Sequence, residues 1–225
     1  GFIGKVAVSA LLARGWHVKA MMRMPRSSAG DVVIADMRDE RSLRAALLGV
    51  EVVVHLAAAK SDEPDSDEVN VEGARRLIAA CRDAGCRRII NFSTQSSKLP
   101  RKGAYGRTKN EADQIFHASG LSVTTLLPSI VYGEELSGVL GAILQAVRRM
   151  PIVPILGDGQ WQSAPVYVGD VAQAIVACIE RDETIGKQYD LGGPDLVRFD
   201  TLIETMASAV GVRRLLLRIQ FGMAL

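Results

Sequence analysis

The feature that most limits what this chain can fold into is a repeated alternation of short apolar runs with amphipathic stretches of helical period. "DVVIADM", "EVVVHLAAA", "CRRIINFST" and "LSVTTLLPSIVYG" have strand length, while "FIGKVAVSALLARG", "DERSLRAALLGV", "VNVEGARRLIAACRDAG" and "GAYGRTKNEADQIFHASG" separate them. In the first helix Ile3, Val6, Ala10 and Leu11 share one stripe and Gly15 closes it, after which "WHVKAMMR" reads as a strand. The helix at "GAYGRTK" is expected from about Tyr105, with Gly120 as its stop. "EVVVHLAAA" is apolar without a break, the pattern of a parallel strand buried on both faces. Repeated strand–helix–strand units need right-handed crossovers, so the chain is expected to be α/β, a doubly wound parallel sheet with helices on both sides.

From about Gly133 the rhythm changes. "GVLGAILQAVRRM" is a helix, "PIVPILGDGQWQSAPVYVGD" an irregular Pro/Gly-rich stretch, and "DVAQAIVACIERD" a helix with Asp170 as its N-cap. "KQYDLGG" reads as a strand and "FDTLIETMASAVG" as the last helix. The closing "VRRLLLRIQFGMAL" is basic and apolar; it suits a membrane-surface helix or, more readily, a segment separated from its packing partners. "KSDEPDSDE" is expected to be a surface loop. Residues 1–132 thus form the strand–helix domain, with 165–192 partly returning to it, and 133–225 a smaller, partial region.

Composition excludes several partners. A net charge of +2 gives no electrostatic reason for nucleic acid or an anionic membrane. No apolar run approaches the roughly 20 residues that span a bilayer. Cys81, Cys86 and Cys178 are odd in number and sit in apolar or helical contexts, which points to reduced core thiols and a cytoplasmic location. His17, His55 and His117 are scattered without metal-ligand spacing, so no metal site is expected.

The opening "GFIG" matches the last part of a G-x-x-G-x-x-G phosphate-binding turn, with Gly1 and Gly4 as its glycines. A side chain there would hold the backbone away from a pyrophosphate, whose charge the helix N-terminus stabilises. About 20 residues on, such folds place an acid for the ribose hydroxyl of NAD or an arginine for the 2′-phosphate of NADP. Here the strand ends in "MMRMPR", with Arg23 and Arg26 and no acid, which favours NADP over NAD. The turn normally follows a first strand that lies mid-sheet in the order 3-2-1-4-5-6. Without it the flanking strands leave backbone groups unpaired, at about 1–3 kcal/mol each if buried. The sequence is therefore expected to lack its first strand and to be short at both ends.

Taken together, these motifs resemble the short-chain dehydrogenase/reductase superfamily, in its extended or atypical NAD-dependent epimerase/dehydratase branch. "GFIG" is similar to that family's cofactor turn, "ADMRD" to its adenine-contacting loop with Asp36 and Met37, and "VVVHLAAA" to the strand ending at Leu56, Ala57 and Ala58 beside the cofactor. "VNVEGARRLI" resembles its N-V-x-G-T segment, with Asn70 in place and Ala74 for threonine; "YGRTK" matches Y-x-x-x-K, and "LPSIVYG" resembles R-P-x-x-V-Y-G with Leu127 for arginine. "PVYVGDVAQAI" and "YDLGGPD" are similar to downstream elements, so the likeness runs from Gly1 to about Gly211. It implies a Rossmann fold that holds NADP or NAD through Gly1, Phe2, Ile3, Gly4, Arg23, Asp36, Met37, Leu56, Ala57, Ala58, Lys109, Pro128 and Val131, with 133–225 binding substrate.

The same resemblance implies the chemistry. Tyr105 and Lys109 lie four apart on one helix face. A phenol of ordinary pKa near 10 needs help to act as a base, and a neighbouring ammonium would lower that value. Tyr105 would exchange a proton with a substrate hydroxyl or carbonyl as hydride passes between the adjacent carbon and the cofactor. In "NFSTQSS" a strand-end hydroxyl would hydrogen-bond the reacting oxygen: Thr94 first, Ser93 second, Ser96 if the loop is shifted. The substrate is a small molecule, with nucleotide sugars common in the branch, and "ILGDGQWQSAPV" offers Gln160, Trp161 and Gln162 as wall candidates. Extended relatives often dimerise through the helices at Asn70–Ala84 and Tyr105–Ser119, which implies a homodimer. Against catalysis, the likeness also reaches the NAD(P)H-binding accessory subunit of respiratory complex I, whose group holds the cofactor for stability or sensing.

Overall fold

The computed structural model describes residues 1–59, 65–134 and 138–219. Its elements begin with α1 (Phe2–Ala13), β1 (Lys19–Met22), β2 (Asp31–Ile34), α2 (Glu40–Ala46), β3 (Val52–His55) and α3 (Gly73–Ala84). Then come β4 (Arg88–Phe92), α4 (Ala104–His117), β5 (Ser122–Pro128), β6 (Val131–Tyr132), α5 (Gly138–Arg149) and β7 (Ile152–Leu156). The chain closes with β8 (Gln162–Ser163), β9 (Val166–Tyr167), α6 (Val168–Glu180), β10 (Gln188–Leu191), β11 (Val197–Arg198), α7 (Phe199–Ala209) and β12 (Leu215–Ile219). Two compact units result: Gly1–Pro128 with Gly169–Leu191, and Ser129–Val168 with Gly192–Leu225. Part of the "KSDEPDSDE" loop, residues 60–64, lies outside the described residues.

The first unit is the expected α/β structure. β10, β5, β4 and β3 form one sheet in that spatial order, and every pairing in it is parallel. β1 and β2 form a separate parallel pair. Among the described residues β1 pairs only with β2 and β3 only with β4, so each keeps one bare edge. The break falls where the 3-2-1-4-5-6 order seats its first strand. Adjacent Ile89 and Ile90 point to opposite faces of β4, and both are fully buried, so the sheet is covered on both sides. Leu43 of α2, Ala74, Leu77 and Cys81 of α3, and Ala112 and Phe116 of α4 share one core with Ile89 and Val123. Local chemistry sets several helix ends: Asp39 caps α2 by accepting from the Arg41 N–H at 3.0 Å. Gly85 ends α3 in the left-handed region, φ 75°.

The second unit departs from the sequence reading in two places, and α6, nearly all of which belongs to the first unit, departs in a third. The stretch read as irregular contains a five-residue strand, β7, paired in parallel with β12. Pro154 opposes Leu217 there, and a two-stranded sheet always has an open side on which proline's missing N–H costs nothing. The closing segment read as a helix or a stray piece is that partner strand through Ile219, with 220–225 outside the described residues. Asp170 is not the N-cap: α6 starts at Val168, directly after β9, which leaves Asp170 exposed in the first turn, where its negative charge is favourable to the positive end of the helix dipole. Val147, Val153, Ile155, Ile203 and Ala207 make this unit's core.

Candidate active site

In a parallel sheet all carboxyl ends open on one edge, where α/β proteins bind ligands. Arg23 follows β1; Asp36 and Met37 follow β2; Leu56, Ala57 and Ala58 follow β3; Ser93 and Thr94 follow β4; Pro128 ends β5. The amino end of α1 joins them, since a Cβ on Gly4 would stand 3.8 Å from Leu56 Cδ1. A Cβ on Gly1 would meet nothing within 4 Å, so packing alone does not account for either glycine. No acid occupies the first turn of α1, which leaves its N–H groups and positive dipole end suited to an anion. Phe2 and Ile3 are half-buried in that turn.

The carboxylate of Asp36 is already engaged. Arg38 donates to it from its backbone N–H at 2.9 Å, from Nε at 3.1 Å and from a terminal nitrogen at 2.8 Å. This pairing holds the Asp36 carboxyl below the usual range, and Arg23 adds to the effect. Met37 turns inward: it is buried beneath the start of α3, where a Cβ on Gly73 would lie 3.1 Å from Met37 Cβ. A side chain there would be tight and would need Met37 to give by a few tenths of an ångström. Arg26 stands exposed in the loop after β1.

At the other end of the edge, α4 is drawn against the loop after β4. A Cβ on Gly106 would come within 2.7 Å of the Ser96 carbonyl oxygen, an approach only glycine permits, and it seats Tyr105 next to that loop. Thr94 is half-buried and caps the 3₁₀ turn Gln95–Lys98; its Oγ1 accepts from the Ser96 N–H at 3.3 Å and lies 3.1 Å from Ser96 Oγ. Ser93 is buried and donates its hydroxyl to the carboxylate of Asp113. The two leading hydroxyl candidates are thus separated, Ser93 committed inward and Thr94 to its loop. Asn70 ties the frame together. Its Oδ1 accepts from the Ala59 N–H at 2.9 Å, and its Nδ2 donates to the Ala59 carbonyl and to Thr108 Oγ1, both at 3.0 Å. Thr108 in turn donates to the Tyr105 carbonyl at 3.1 Å.

Lys109 is 2% exposed and has no hydrogen-bond partner among the described residues. Burial pulls its ammonium down to about 8, against the pull of Asp113. His55, buried at the end of β3 with its ring centroid 5.1 Å from that of Phe116, is pushed down to about 3 by burial and then by Lys109, so it is neutral. Tyr105 departs from expectation. Its phenol lies above the ordinary value, raised by burial first and Asp113 second, because desolvation and a nearby carboxylate both disfavour the phenolate. Asp113 itself is raised by burial, against Ser93, Lys109, Asn91 and His117. The sequence reading passed over Asp113, Asn91 and His55. Their signals were present: an acid four residues after Lys109, and polar residues inside or closing the runs "RIINF" and "VVVH".

A family model described as the NAD dependent epimerase/dehydratase family matches residues 1–192. The chain belongs to this family. It is 28% identical over 221 residues to the NADH dehydrogenase [ubiquinone] 1 alpha subcomplex subunit 9, mitochondrial, of Arabidopsis thaliana, covering 92% of this chain and 55% of the relative. It is 30% identical over 186 residues to a ceramide reductase of Caulobacter vibrioides, covering 79% and 57%. The chain therefore spans little more than half the length of these two relatives. Among solved structures, MoeE5 in complex with UDP-glucose and NAD superposes with a TM-score of 0.86 at 26% identity, covering 98% of this chain and 82% of that one. Family members are NAD-dependent, and two features of this chain fit such a cofactor: the open Cβ positions at the amino end of α1, and the Lys109 side chain, which is 2% exposed and has no hydrogen-bond partner among the described residues.

The remaining sequence candidates fall in the second unit. Val131 pairs in register with Val166. Trp161 stacks on Phe199, with centroids 4.3 Å apart, and Gln162 pairs with Arg198. Gln160 is exposed, its N–H bonded to Asp158 at 2.9 Å.

Proposed function

We propose that this chain is the cofactor-binding and catalytic part of an NAD(P)-dependent oxidoreductase acting on a hydroxyl or carbonyl of a small molecule. The observation that carries this reading is the placement of Tyr105 and Lys109 one helical turn apart at the carboxyl edge of the sheet, with the Lys109 side chain buried and without a hydrogen-bond partner among the described residues. When bound, the dinucleotide supplies or accepts the hydride. The amino end of α1, with Gly1 to Gly4, would hold its pyrophosphate; Leu56, Ala57, Ala58 and Pro128 would line its path, and Val131 is assigned to it on the resemblance. Lys109 would bind the nicotinamide ribose and orient Tyr105. A phenol held above its ordinary value keeps its proton at neutral pH, which suits Tyr105 to donate that proton from Oη to a reduced carbonyl oxygen. Thr94, the less committed hydroxyl, would hydrogen-bond the same oxygen. Arg23 and Arg26 favour NADP, since Asp36 is already neutralised by Arg38.

A nucleotide sugar is one substrate of this class, on the likeness to MoeE5, and residues after 133 are assigned to its recognition. A homodimer through α3 and α4 is assigned on the resemblance alone. All three cysteines are free and buried, which supports a reducing compartment such as the cytoplasm. Among the described residues no helix is long and apolar enough to cross a membrane.

The likeness to a complex I subunit over 92% of the chain favours a second reading, a protein that holds NAD(P)H without turning it over. NADPH oxidation by the full-length protein against a panel of carbonyl compounds separates the two. Tyr105→Phe is expected to lower turnover by about 10²–10⁴ while cofactor affinity stays unchanged. Equal traces of activity in both proteins would leave the holder.

A further inference from the structure

α4 carries a third polar side chain in the Tyr105–Lys109 row. Asp113 follows Lys109 by four residues, is 7% exposed, and lines a cleft of about 320 Å³ with Ser97, Asn110, His117 and Gln188. Its carboxylate is held from the strand side, not by the lysine. Asn91 Nδ2 donates to one oxygen at 2.7 Å, and Ser93 Oγ donates to the other. Asn91 is fully buried and is fixed further by Thr125 Oγ1 at 3.3 Å, while Ser93 lies 3.4 Å from Ser97 Oγ. Among the described residues Lys109 and Asp113 make no ion pair, although each acts on the other electrostatically.

We propose that Asp113 is a positioning residue for the Tyr105–Lys109 pair: a buried counter-charge that Ser93 and Asn91 hold short of contact, so that Lys109 stays charged while its donors remain free. This rests on the reading of Tyr105 and Lys109 as the working pair. A direct ion pair would also keep Lys109 charged, but it would occupy at least one of the three donors and turn the ammonium toward the carboxylate, away from a ribose or a phenol. A buried ammonium with no opposite charge near it holds its proton more weakly. An anchored carboxylate at a distance meets both demands. It also gives Ser93, an alternative for the catalytic hydroxyl, a different task. The charged and titratable groups around the pair are Tyr105, Lys109, Asp113 and His117 on α4, with His55 from β3 and Lys98 from the turn after β4; Lys98 is occupied by Asp190 at 2.9 Å.

The test reads the proton on Lys109 directly. In the full-length protein with NADP bound, lysine side chains labelled with ¹³C are titrated by NMR, with Lys109 assigned by loss of its signal in Lys109→Arg. Asp113→Asn is expected to lower the Lys109 midpoint by about one pH unit, a tenfold weaker hold on the proton. Ser93→Ala is expected to shift it the other way, as the released carboxylate swings onto the ammonium, and to weaken NADP binding. An unchanged midpoint in folded Asp113→Asn overturns the proposal. If that variant does not fold, Ser93→Ala decides: an upward shift supports it, an unchanged or lower midpoint ends it. Should Tyr105→Phe retain full activity while Lys109 still answers to Asp113, the oxidoreductase reading fails and the electrostatic assignment stands.

Discussion

The two pieces of the parallel sheet in the first unit are built from similar residues and fare differently. In β4 the run Ile89–Phe92 is buried throughout, and in β5 the run Val123–Leu127 is too. In β2 three of the four residues are exposed, with Val32 at 40% and Ile34 at 49%, and in β1 Met21 stands at 38%. The strands of the exposed piece are no less apolar than β4 and β5, so composition does not explain the contrast. The number of neighbours does. β4 has a strand on either side and helices over it, whereas among the described residues β2 has one strand beside it. A β-branched side chain stabilises a sheet through what packs on it, so the same residue type carries different weight in the two pieces.

The largest expected effect tests the well-packed piece. Phe116 is fully buried on α4, in the core shared with Ile89 and Val123 and against the ring of His55. Phe116→Ala should cost about 3–5 kcal/mol, read from the urea midpoint at constant slope. A loss under about 1 kcal/mol would mean that this core collapses around the gap and differs little from the open piece.

Lys109 sharpens the contrast by a smaller amount, and with a defined pH dependence. Its proton is held more weakly in the folded protein, about 8, than in the unfolded chain, near the ordinary 10.5. Between those values the unfolded chain binds more protons, so stability rises with pH across that window; below about 8 the burial penalty is present in full. Lys109→Met should therefore stabilise the protein at pH 7 by on the order of 1–3 kcal/mol, with the advantage fading toward pH 10 as the wild type sheds its proton. A difference between the two proteins that stays level from pH 7 to pH 10 would show that Lys109 is not desolvated.

What the sequence disclosed follows the same division between local and distant causes. α4 was readable because Gly103 and Gly120 bracket an amphipathic run, and β3 because "VVVH" is apolar without a break. Tyr105 and Lys109 were readable because their spacing is itself the chemistry. β7 was not, since Pro151 just before it and Pro154 inside it argue against a strand, and its partner β12 lies about sixty residues on. Thr94 and Ser93 are adjacent in sequence, and nothing local tells them apart. They separate only when α4 brings Asp113 to Ser93, twenty positions away. The raised phenol of Tyr105 has the same origin, because the burial and the carboxylate that disfavour its anion are properties of the packed site.

The smallest expected effect is the one most able to break the comparison. Ile34→Thr keeps a β-branched side chain at an exposed position of β2, so strand preference is nearly preserved and little apolar area is lost. The change should stay within about 0.5 kcal/mol of wild type. A loss comparable to that from Phe116→Ala would show that Ile34 is covered in the working protein by something beyond the described residues. β1 and β2 would then belong to a core as continuous as that of β4 and β5.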